Sequence, residues 1–319
     1  MDYQNYQLAY KGNGLDYFRI MLVNFILTII TFGLYYPWAK ARTLQYMYSQ
    51  TTFQNQPFVF TGTGNQMFKG FIKALGIILV IYGFGFYIAL SNIFGRGGTQ
   101  LVLLALYLVV FAIMPLAIHG SYKYRFAKTV WSGIRFGYTG DRWALVRMFF
   151  KGIFFTIITL GFYLPWFHMN LRRYLLCNVR IGNARFAYKG EGAEYFWLNL
   201  KGYFLTILTL GIYSFWWQKE LFAYFVDNLA LTKDDEIMLC KSTATGGDFA
   251  KLIIVNVLLL IFTLGIATPW VVTRTLAFVM DHIALDGVIN FDQLRQDQED
   301  FSDATGEDLS DFFDFGFII

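Results

Sequence analysis

Six long windows without a charged residue decide what this chain can fold into. They hold 17 to 26 residues each, and they cover residues 20–39, 74–95, 97–122, 152–171, 202–218 and 252–273. A helix needs roughly 20 apolar residues to cross a bilayer. Only 15% of the 319 residues are charged, against about 25% in soluble domains. The sequence therefore predicts an integral membrane protein and argues against a disordered chain or an ordinary soluble enzyme.

Four of these windows contain nearly the same motif. A Thr is followed two residues later by Gly, and a Trp follows five residues after the Gly, with Pro before the Trp in three copies. Gly and Pro interrupt helices, Thr can bond back into its own helix, and Trp favours the membrane–water interface. We therefore predict a helix break at each copy. The candidate residues are Thr31, Gly33, Pro37, Trp38, Thr159, Gly161, Pro165, Trp166, Thr209, Gly211, Trp216, Thr263, Gly265, Pro269 and Trp270.

A second signature indicates that one unit was copied along the chain. Phe, an aromatic residue and Gly occupy alternate positions over residues 58–62, 136–140 and 186–190, which is typical of a short strand and a turn. An aromatic residue follows each Pro position by nine residues, at Tyr46, Tyr124, Tyr174, Tyr224 and Phe278. We predict repeats over 10–62, 62–140, 140–190, 190–246 and 246–290, the second carrying an inserted transmembrane hairpin, and an acidic tail over 291–319.

The fold expected from this pattern is mainly α. We predict a polytopic helical membrane protein of five internal repeats with short cytoplasmic β-strands between helices. Loop 91–100 contains only Arg96 as a basic residue, so we expect it outside the cell, between two crossing helices. The other units admit two topologies: each dips into the membrane and returns, or successive units cross it in alternating orientation.

Polar residues inside or beside the apolar windows are the candidates for function. Asn24, Asn199 and Asn256 either join helices by hydrogen bonds or line a permeation path. Five cations stand at the N-terminal edges of the windows, where snorkelling to the interface or binding of lipid phosphate or an anionic solute would explain them. They are Lys73, Arg147, Lys151, Lys201 and Lys251.

The sequence offers no sign of catalysis. The two cysteines and three histidines form no metal-binding spacing, and no nucleophile–base motif is visible. Asp281 and His282 are adjacent and would suit a proton relay, although structural histidines are the plainer interpretation. We expect no enzyme, no cofactor, no metal and no nucleic-acid partner.

The charge distribution suggests two kinds of partner. Residues 291–319 hold nine acidic residues and one Arg, a net charge of −8, so the net charge of +4 leaves +12 for residues 1–290. A basic body beside a bilayer is expected to contact anionic lipid head groups. The acidic tail is expected to be solvated, to fold back onto the basic face, or to recruit a cytoplasmic partner. A homo-oligomer is also compatible with the sequence.

The two motifs, together with the acidic, Phe-rich ending over residues 306–314, resemble the YjgN-like family along nearly the whole chain. That resemblance implies a multi-pass protein of the bacterial inner membrane, in a family described as a domain of unknown function, and it brings no catalytic residues. Phe215 replaces the expected Pro and Ala267 the expected Tyr.

Two functions are compatible with these features. The first is transporter- or channel-like movement of a small solute, ion or lipid, because broken helices with polar positions often form binding sites in membranes. The second is a non-transporting scaffold or envelope factor that recruits partners through its cytoplasmic face.

Overall fold

A computed structural model describes residues 6–91, 95–234, 236–287, 289, 291 and 294–296. Most of the acidic tail therefore lies outside the described residues. Two kinds of substructure share the described part of the chain: a sheet of short strands and pairs of helices that leave the sheet and return to it.

In the part of the chain that the structure describes, ten strands form one antiparallel sheet in which the spatial order equals the order along the chain. A bridge between Gln7 and Ala284 joins the first and last strands, so the sheet nearly closes into a barrel. The strands are β1 (Leu8–Tyr10), β2 (Thr51–Phe53), β3 (Gln56–Phe60), β4 (Thr129–Trp131), β5 (Ile134–Tyr138), β6 (Val179–Ile181), β7 (Ala184–Tyr188), β8 (Leu229–Lys233), β9 (Glu236–Ser242) and β10 (Ile283–Gly287).

Tight turns with left-handed backbone connect neighbouring strands. Gln54 and Asn55 have φ of 49° and 62° between β2 and β3, and Ser132 and Gly133 have 48° and 79° between β4 and β5. Two consecutive positive φ angles are typical of the hairpin turn whose twist matches that of the strands. Local turn chemistry therefore fixes the strand pairs that are adjacent in sequence.

Large side chains fill one face of the sheet. Phe53, Trp131, Phe136 and Met238 are buried together there, and Phe291, beyond the last strand, packs its ring against Phe53 and Trp131. The chain after β10 is held in this core by a hydrogen bond of 2.9 Å from the Tyr6 hydroxyl to the Ile289 carbonyl. The face is a packed core made of residues that are distant in sequence.

In the described residues, ten helices are inserted in pairs between the strands. They are α1 (Gly14–Ile30), α2 (Tyr36–Gln50), α3 (Gly64–Ser91), α4 (Gly95–Ala127), α5 (Arg142–Ile158), α6 (Leu164–Cys177), α7 (Gly192–Leu208), α8 (Ser214–Asp227), α9 (Gly246–Phe262) and α10 (Thr268–Asp281). Each helix contacts its neighbours along the chain, and α10 contacts α1, so the helices form a closed ring.

The two helices of a pair are antiparallel. In the first pair, the Asn13 backbone N–H, just before α1, donates to the Tyr46 hydroxyl near the end of α2 at 3.1 Å, while Asn24 Nδ2, further along α1, donates to the Ala39 carbonyl near the start of α2. The second helix therefore returns the chain to the sheet. This geometry agrees with the dip-and-return topology and not with single crossings by successive units.

The predicted fold class is wrong. The short strands that we expected between helices instead pair across the whole chain into one near-barrel sheet of ten strands. Only α3 (Gly64–Ser91) and residues Gly97–Ala127 of α4 are long and apolar enough to cross a membrane among the described residues. The other charge-free windows contain a helix end and a turn as well as a helix, so none forms a continuous span. A polytopic protein of five repeats is thus not what the structure describes.

Candidate membrane-inserting hairpins

Four short helical hairpins end in the same turn, and this turn is the candidate site. They are the pairs α1–α2, α5–α6, α7–α8 and α9–α10. In the first pair, the Gly33 N–H donates to the Thr28 carbonyl at 2.7 Å and the Phe32 N–H to the Ile29 carbonyl at 3.0 Å. This pair of bonds is the Schellman motif that closes a helix C-terminus. The other three hairpins make the same bonds.

The motif Thr joins the two helices of each short hairpin. Thr159 Oγ1 donates to the Phe155 carbonyl at 2.7 Å and accepts the Tyr163 N–H, which precedes the second helix, at 3.0 Å. Thr31, Thr209 and Thr263 make the corresponding two bonds. Each hydroxyl therefore accepts an N–H that the helix break would otherwise leave without a partner. The carbonyl to which it donates also accepts the backbone N–H of the same Thr.

A large apolar residue in left-handed conformation occupies the tip of each turn. Phe32, Leu160, Leu210 and Leu264 have φ of 49° to 51° and are 97%, 91%, 95% and 92% exposed. The left-handed conformation costs a residue with a side chain roughly 1–2 kcal/mol, and Gly is the usual residue there. Packing within the protein does not explain this choice, because the side chains are almost fully exposed. Exposed apolar groups of this kind are typical of membrane or protein interaction sites.

The motif Gly follows the tip residue and also has left-handed backbone. Gly33, Gly161, Gly211 and Gly265 have φ between 86° and 96°. A Cβ built at any of these four positions would meet no other atom within 4 Å. The requirement for Gly is therefore one of backbone conformation and not of space.

The motif Trp of each short hairpin packs against the next helix pair around the ring. Trp166 packs on Gly192, the first residue of α7, so closely that a Cβ there would lie 2.6 Å from the Trp166 Cα. Trp38, Trp216 and Trp270 pack in the same way on Gly64, Gly246 and Gly14. The Trp side chains are thus part of the helix–helix contacts that close the ring.

The motif Pro stands at the first turn of the second helix in three hairpins. Pro37 and Pro269 are buried there and Pro165 is partly buried. At this position a missing N–H is harmless. The fourth hairpin has Phe215 instead, and α8 still begins at Ser214. The Pro therefore favours the turn without being needed for it.

The three candidate lining residues are bonded separately within their own hairpins. Asn24 donates to the Ala39 carbonyl, Asn199 to the Tyr195 carbonyl of its own helix, and Asn256 to Thr275 Oγ1 at 3.2 Å. In the other two short hairpins, Gly152 and Gly202 occupy the position of Asn24 and Asn256, and the rings of Phe167 and Trp217 fill the space. The structure does not bring the three amides together.

All five candidate cations have exposed side chains near the helix beginnings. Lys73, Arg147, Lys151 and Lys251 lie in α3, α5 and α9 within ten residues of the first helical residue. Lys201 in α7 is also exposed but forms an ion pair of 2.8 Å with Glu220 of α8. Charged groups therefore stand at the bases of the hairpins, while the tips are apolar.

The fifth helix pair, α3–α4, differs in length. Its helices hold 28 and 33 residues, against 14 to 17 in the short hairpins. Most of each apolar window is exposed, which is typical of a lipid-facing helix and not of the core of a soluble protein. Pro115 is buried inside α4, which continues through it.

A Tyr nine residues after the Pro position has a structural role that its spacing in the sequence did not identify. The Tyr174 hydroxyl donates to the Asp141 carbonyl at 2.6 Å, and Tyr224 makes the corresponding bond to Glu191 at 2.7 Å. Both acceptors directly precede the first helix of their hairpin. Each bond therefore locks the base of a short hairpin, and the regular spacing was the signal that could have revealed it.

A second set of Tyr residues lies at the ends of strands, beneath glycines that begin the next unit. Tyr188 packs under Gly190 and is almost completely buried. Burial raises the pKa of its phenol to about 12, partly offset by the nearby Arg172. Burial also raises the pKa of Tyr10 and Tyr138 in the equivalent places. These phenols stay neutral at physiological pH and serve packing.

The residues considered for other chemistry are dispersed. His282 Nε2 lies 3.8 Å from Asp248, and its Nδ1 contacts the Phe278 carbonyl at 2.8 Å. Cys177 is exposed, whereas Cys240 is buried, which raises the pKa of its thiol to about 11. In the part of the chain that the structure describes, no three His, Cys, Asp or Glu residues are grouped as metal ligands.

Comparison with known proteins identifies the family. A family described as bacterial protein of unknown function (DUF898) matches residues 5–189, 183–237 and 235–312. A protein named inner membrane protein YjgN from Salmonella typhimurium is 36% identical over 138 residues, and one of the same name from Escherichia coli is 30% identical over 138 residues. Both alignments cover 43% of this chain and 32% of the relative, so the match spans about a third of the relatives' length.

No solved structure matches the chain significantly. The names of the relatives support a membrane protein located in the inner membrane, and the family description assigns no activity. The family match extends over nearly the whole sequence, including the four hairpin motifs and the strands between them. The chain belongs to the YjgN-like family of bacterial inner-membrane proteins of unknown function, DUF898.

Proposed function

We propose that the protein is a non-enzymatic membrane scaffold that inserts four apolar hairpin tips into the cytoplasmic leaflet. The α3–α4 hairpin crosses the bilayer, and the near-barrel sheet stays in the cytoplasm as a surface for partners. The observation that carries this proposal is the set of four left-handed, exposed apolar residues, Phe32, Leu160, Leu210 and Leu264. Exposed apolar groups of this kind mark membrane or protein interaction sites.

Helix length supports insertion without crossing. The first helix of each short hairpin has 17 residues, which at 1.5 Å per residue gives about 25 Å. The hydrocarbon core is about 30 Å thick, and part of each helix lies beside the second helix near the sheet. The 28 and 33 residues of α3 and α4 correspond to about 42 and 50 Å, enough to cross.

Charge at the hairpin bases supports contact with anionic lipids. Arg147, Lys151 and Lys251 are exposed on the first helices, and no charged residue follows them in those helices toward the tip. A cation at this height reaches the phosphate layer while its hairpin enters the hydrocarbon. The proposed partners are therefore anionic head groups of the cytoplasmic leaflet.

The packed sheet favours a scaffold over a transporter. Phe53, Trp131, Phe136 and Phe291 fill the core face of the near-barrel. A path through the sheet would require this aromatic core to open.

The second proposal is that the protein moves a small solute, ion or lipid. Two buried side-chain amides support it. Asn24 Oδ1 and Asn256 Oδ1 accept no hydrogen bond although both are buried. A buried acceptor without a donor is costly, and a passing solute with an N–H or O–H would relieve that cost. Flux into liposomes that is lost in Asn24→Leu and Asn256→Leu would support this second proposal over the scaffold.

Spin-label accessibility tests the insertion of the tips. The Cys177→Ser protein, with Leu160→Cys or Leu210→Cys labelled, is reconstituted into liposomes containing phosphatidylglycerol. We expect collisions with oxygen to dominate over those with a water-soluble nickel chelate at the tips. Asn55→Cys, on an exposed turn of the sheet, is the matched control and should show the reverse. Equal nickel accessibility at both positions would refute the insertion.

A further inference from the structure

Arg172 of α6 is a partly buried cation among aromatic rings. Its Cζ lies 4.1 Å from the ring centroid of Phe225 in α8 and 5.4 Å from that of Tyr188 in β7, which is a favourable cation–π arrangement. His168, one turn earlier in α6, stacks on Tyr195 of α7 with the ring centroids 5.4 Å apart. We call these five residues the Arg172 cluster. It joins the α5–α6 hairpin to the α7–α8 hairpin.

The Arg172 guanidinium has donors that the described part of the chain leaves unused. None of the ion pairs between described residues involves Arg172, and its Nε is buried without a hydrogen-bond partner. The neighbouring Tyr188 hydroxyl is a neutral acceptor, and it donates to Met169 Sδ at 3.8 Å. Arg carries five N–H donors, and a buried donor of a charged group without an acceptor is costly. The cluster therefore favours an anionic occupant.

Arg172 is the charged group that acts on its aromatic neighbours. Partial burial and Arg172 lower the pKa of His168, so the imidazole is neutral at pH 7. Arg172 also opposes the burial that raises the pKa of Tyr188 and of Tyr195. A neutral imidazole does not repel the guanidinium, and it can donate one further N–H to a bound anion.

Arg172 stands at a position that is apolar or aromatic in the other helix pairs. Seven residues after the Pro position, the second helices of those pairs have Leu44, Tyr122, Phe222 and Leu276. The helix packing therefore does not require a cation at this position. A purpose other than folding explains why this one helix has an Arg, and a Leu in its place is expected to fold.

The Arg172 cluster can be reached from outside the protein. His168 is exposed and Arg172 is partly exposed. Arg172 lies eight residues after the first residue of α6, which corresponds to about 12 Å along the helix from the turn. Half of the hydrocarbon core is about 15 Å thick, so Arg172 lies near the phosphate layer of the cytoplasmic leaflet. This placement rests on the insertion proposed above.

We propose that Arg172 and His168 bind a phosphate group at the junction of α6, α7 and α8. The guanidinium donates two parallel N–H bonds to the phosphate oxygens, as Arg does with its fork of donors. Phe225 covers one face of the guanidinium, and His168 donates a third bond. The phosphate belongs to an anionic lipid head group or is a dissolved phosphate ion, because both present the same oxygens.

Titration of the full chain in a maltoside detergent, without a bilayer, tests the proposal. Inorganic phosphate and short-chain phosphatidylglycerol are added separately, and binding is followed by the width of the phosphorus NMR line. Saturable binding of either probe supports the site. Binding of phosphatidylglycerol alone assigns the site to lipid, and binding of inorganic phosphate assigns it to the dissolved ion. Saturable binding of neither probe would overturn the proposal.

Substitution of Arg172 locates the site. Arg172→Leu should weaken binding roughly tenfold or more, because the paired donors are lost. Arg172→Lys keeps the charge without the paired donors and should weaken it severalfold, as should His168→Gln. Lys189→Gln, which removes an exposed cation next to Tyr188, is the matched control and should leave the affinity within about twofold. Circular dichroism verifies that each variant is folded. Equal affinities of Arg172→Leu and Lys189→Gln would overturn the proposal.

The site and the scaffold proposal fail separately. Leu160→Asn and Leu210→Asn, which weaken tip insertion, leave the Arg172 cluster intact and should leave phosphate binding in detergent unchanged. Arg172→Leu should lose that binding while labelled tips still enter lipid. Tips that insert in a protein without saturable binding would overturn the phosphate site and leave the scaffold proposal standing.

Discussion

The α3–α4 hairpin and the short α5–α6 hairpin each follow a strand, and each has a Gly at the same distance from the start of its first helix. The backbone conformation at that Gly differs between the two hairpins. Gly83 lies 19 residues after the first residue of α3, and Gly161 lies 19 residues after the first residue of α5. The chain turns back at Gly161, with φ of 95°, whereas α3 continues through Gly83 to Ser91. A Gly alone therefore does not decide where a hairpin ends.

The residue two positions earlier explains the difference. Thr159 supplies the hydroxyl that bonds the Phe155 carbonyl and the Tyr163 N–H, and α3 has Ile81 at that place. Without the hydroxyl, the N–H before the second helix would have no partner at the break, which is costly in lipid. Pro is similarly context-dependent, because Pro165 stands at a helix start and Pro115 inside a helix.

The largest expected effect comes from the Trp–Gly contact between hairpins. Gly192→Ala should destabilise the protein by about 1–3 kcal/mol, because the added methyl would overlap the Trp166 backbone. Gly76→Ala in α3 meets no atom within 4 Å and should instead stabilise the helix by about 0.5–1 kcal/mol. Unfolding in detergent, followed by circular dichroism, measures both. Equal changes in the free energy of unfolding for the two variants would contradict a close Trp–Gly contact in the short hairpins that α3 lacks at Gly76.

The two glycines compared above give the next largest effect. Gly161→Ala should cost about 1–2 kcal/mol, because Ala must adopt the left-handed backbone. Gly83→Ala should stabilise by up to about 1 kcal/mol, because α3 is an ordinary helix there. The same unfolding measurement applies. Stabilisation by Gly161→Ala would show that the turn is not needed for the fold.

Loss of the motif hydroxyl should have a smaller effect. Thr159→Val should destabilise by about 1 kcal/mol, because the Tyr163 N–H loses its acceptor. Thr159→Ser keeps the hydroxyl and serves as the control. Hydrogen exchange at Tyr163 would report the local opening directly. Unchanged exchange in Thr159→Val would mean that the hydroxyl does not hold the turn.

The smallest expected change in stability is at the tip. A substitution there should weaken insertion into lipid while it leaves the free energy of unfolding nearly unchanged. Leu160→Asn should alter the free energy of unfolding in detergent by less than about 0.5 kcal/mol, because Asn tolerates the left-handed backbone and the Leu160 side chain is exposed. Lipid partition of a label on the same hairpin should nevertheless decrease. Leu79→Asn on α3 should instead weaken insertion of the crossing hairpin. Undiminished partition in Leu160→Asn would argue against a lipid-facing tip.

The local features could be predicted from the sequence, but the assembly could not. The breaks at Gly33, Gly161, Gly211 and Gly265 follow from the Thr and Gly spacing and are present. Expected strands before Gly62 and Gly190 correspond to β3 and β7. Their partners β4 and β6 hold three residues each, which is too short for an alternating pattern.

The sheet itself could not be predicted from the sequence, because its strand pairings join residues that are far apart in sequence. Phe60 of β3 pairs with Thr129 of β4 across the whole α3–α4 hairpin. The candidate lining residues Asn24 and Asn256 could not be separated from packing residues either. Their role within single hairpins depends on the small residues opposite them, and only the structure reveals which positions face each other.

Cysteine accessibility from the two sides of the membrane tests the central claim most directly. A membrane-impermeant thiol reagent is applied to right-side-out and inverted vesicles carrying Asn55→Cys, Asn183→Cys or Gln100→Cys in the Cys177→Ser protein. The account predicts labelling of Asn55→Cys and Asn183→Cys from the cytoplasmic side only, and of Gln100→Cys from the opposite side only. Labelling of the two sheet turns from opposite sides would contradict hairpins that enter the membrane and return.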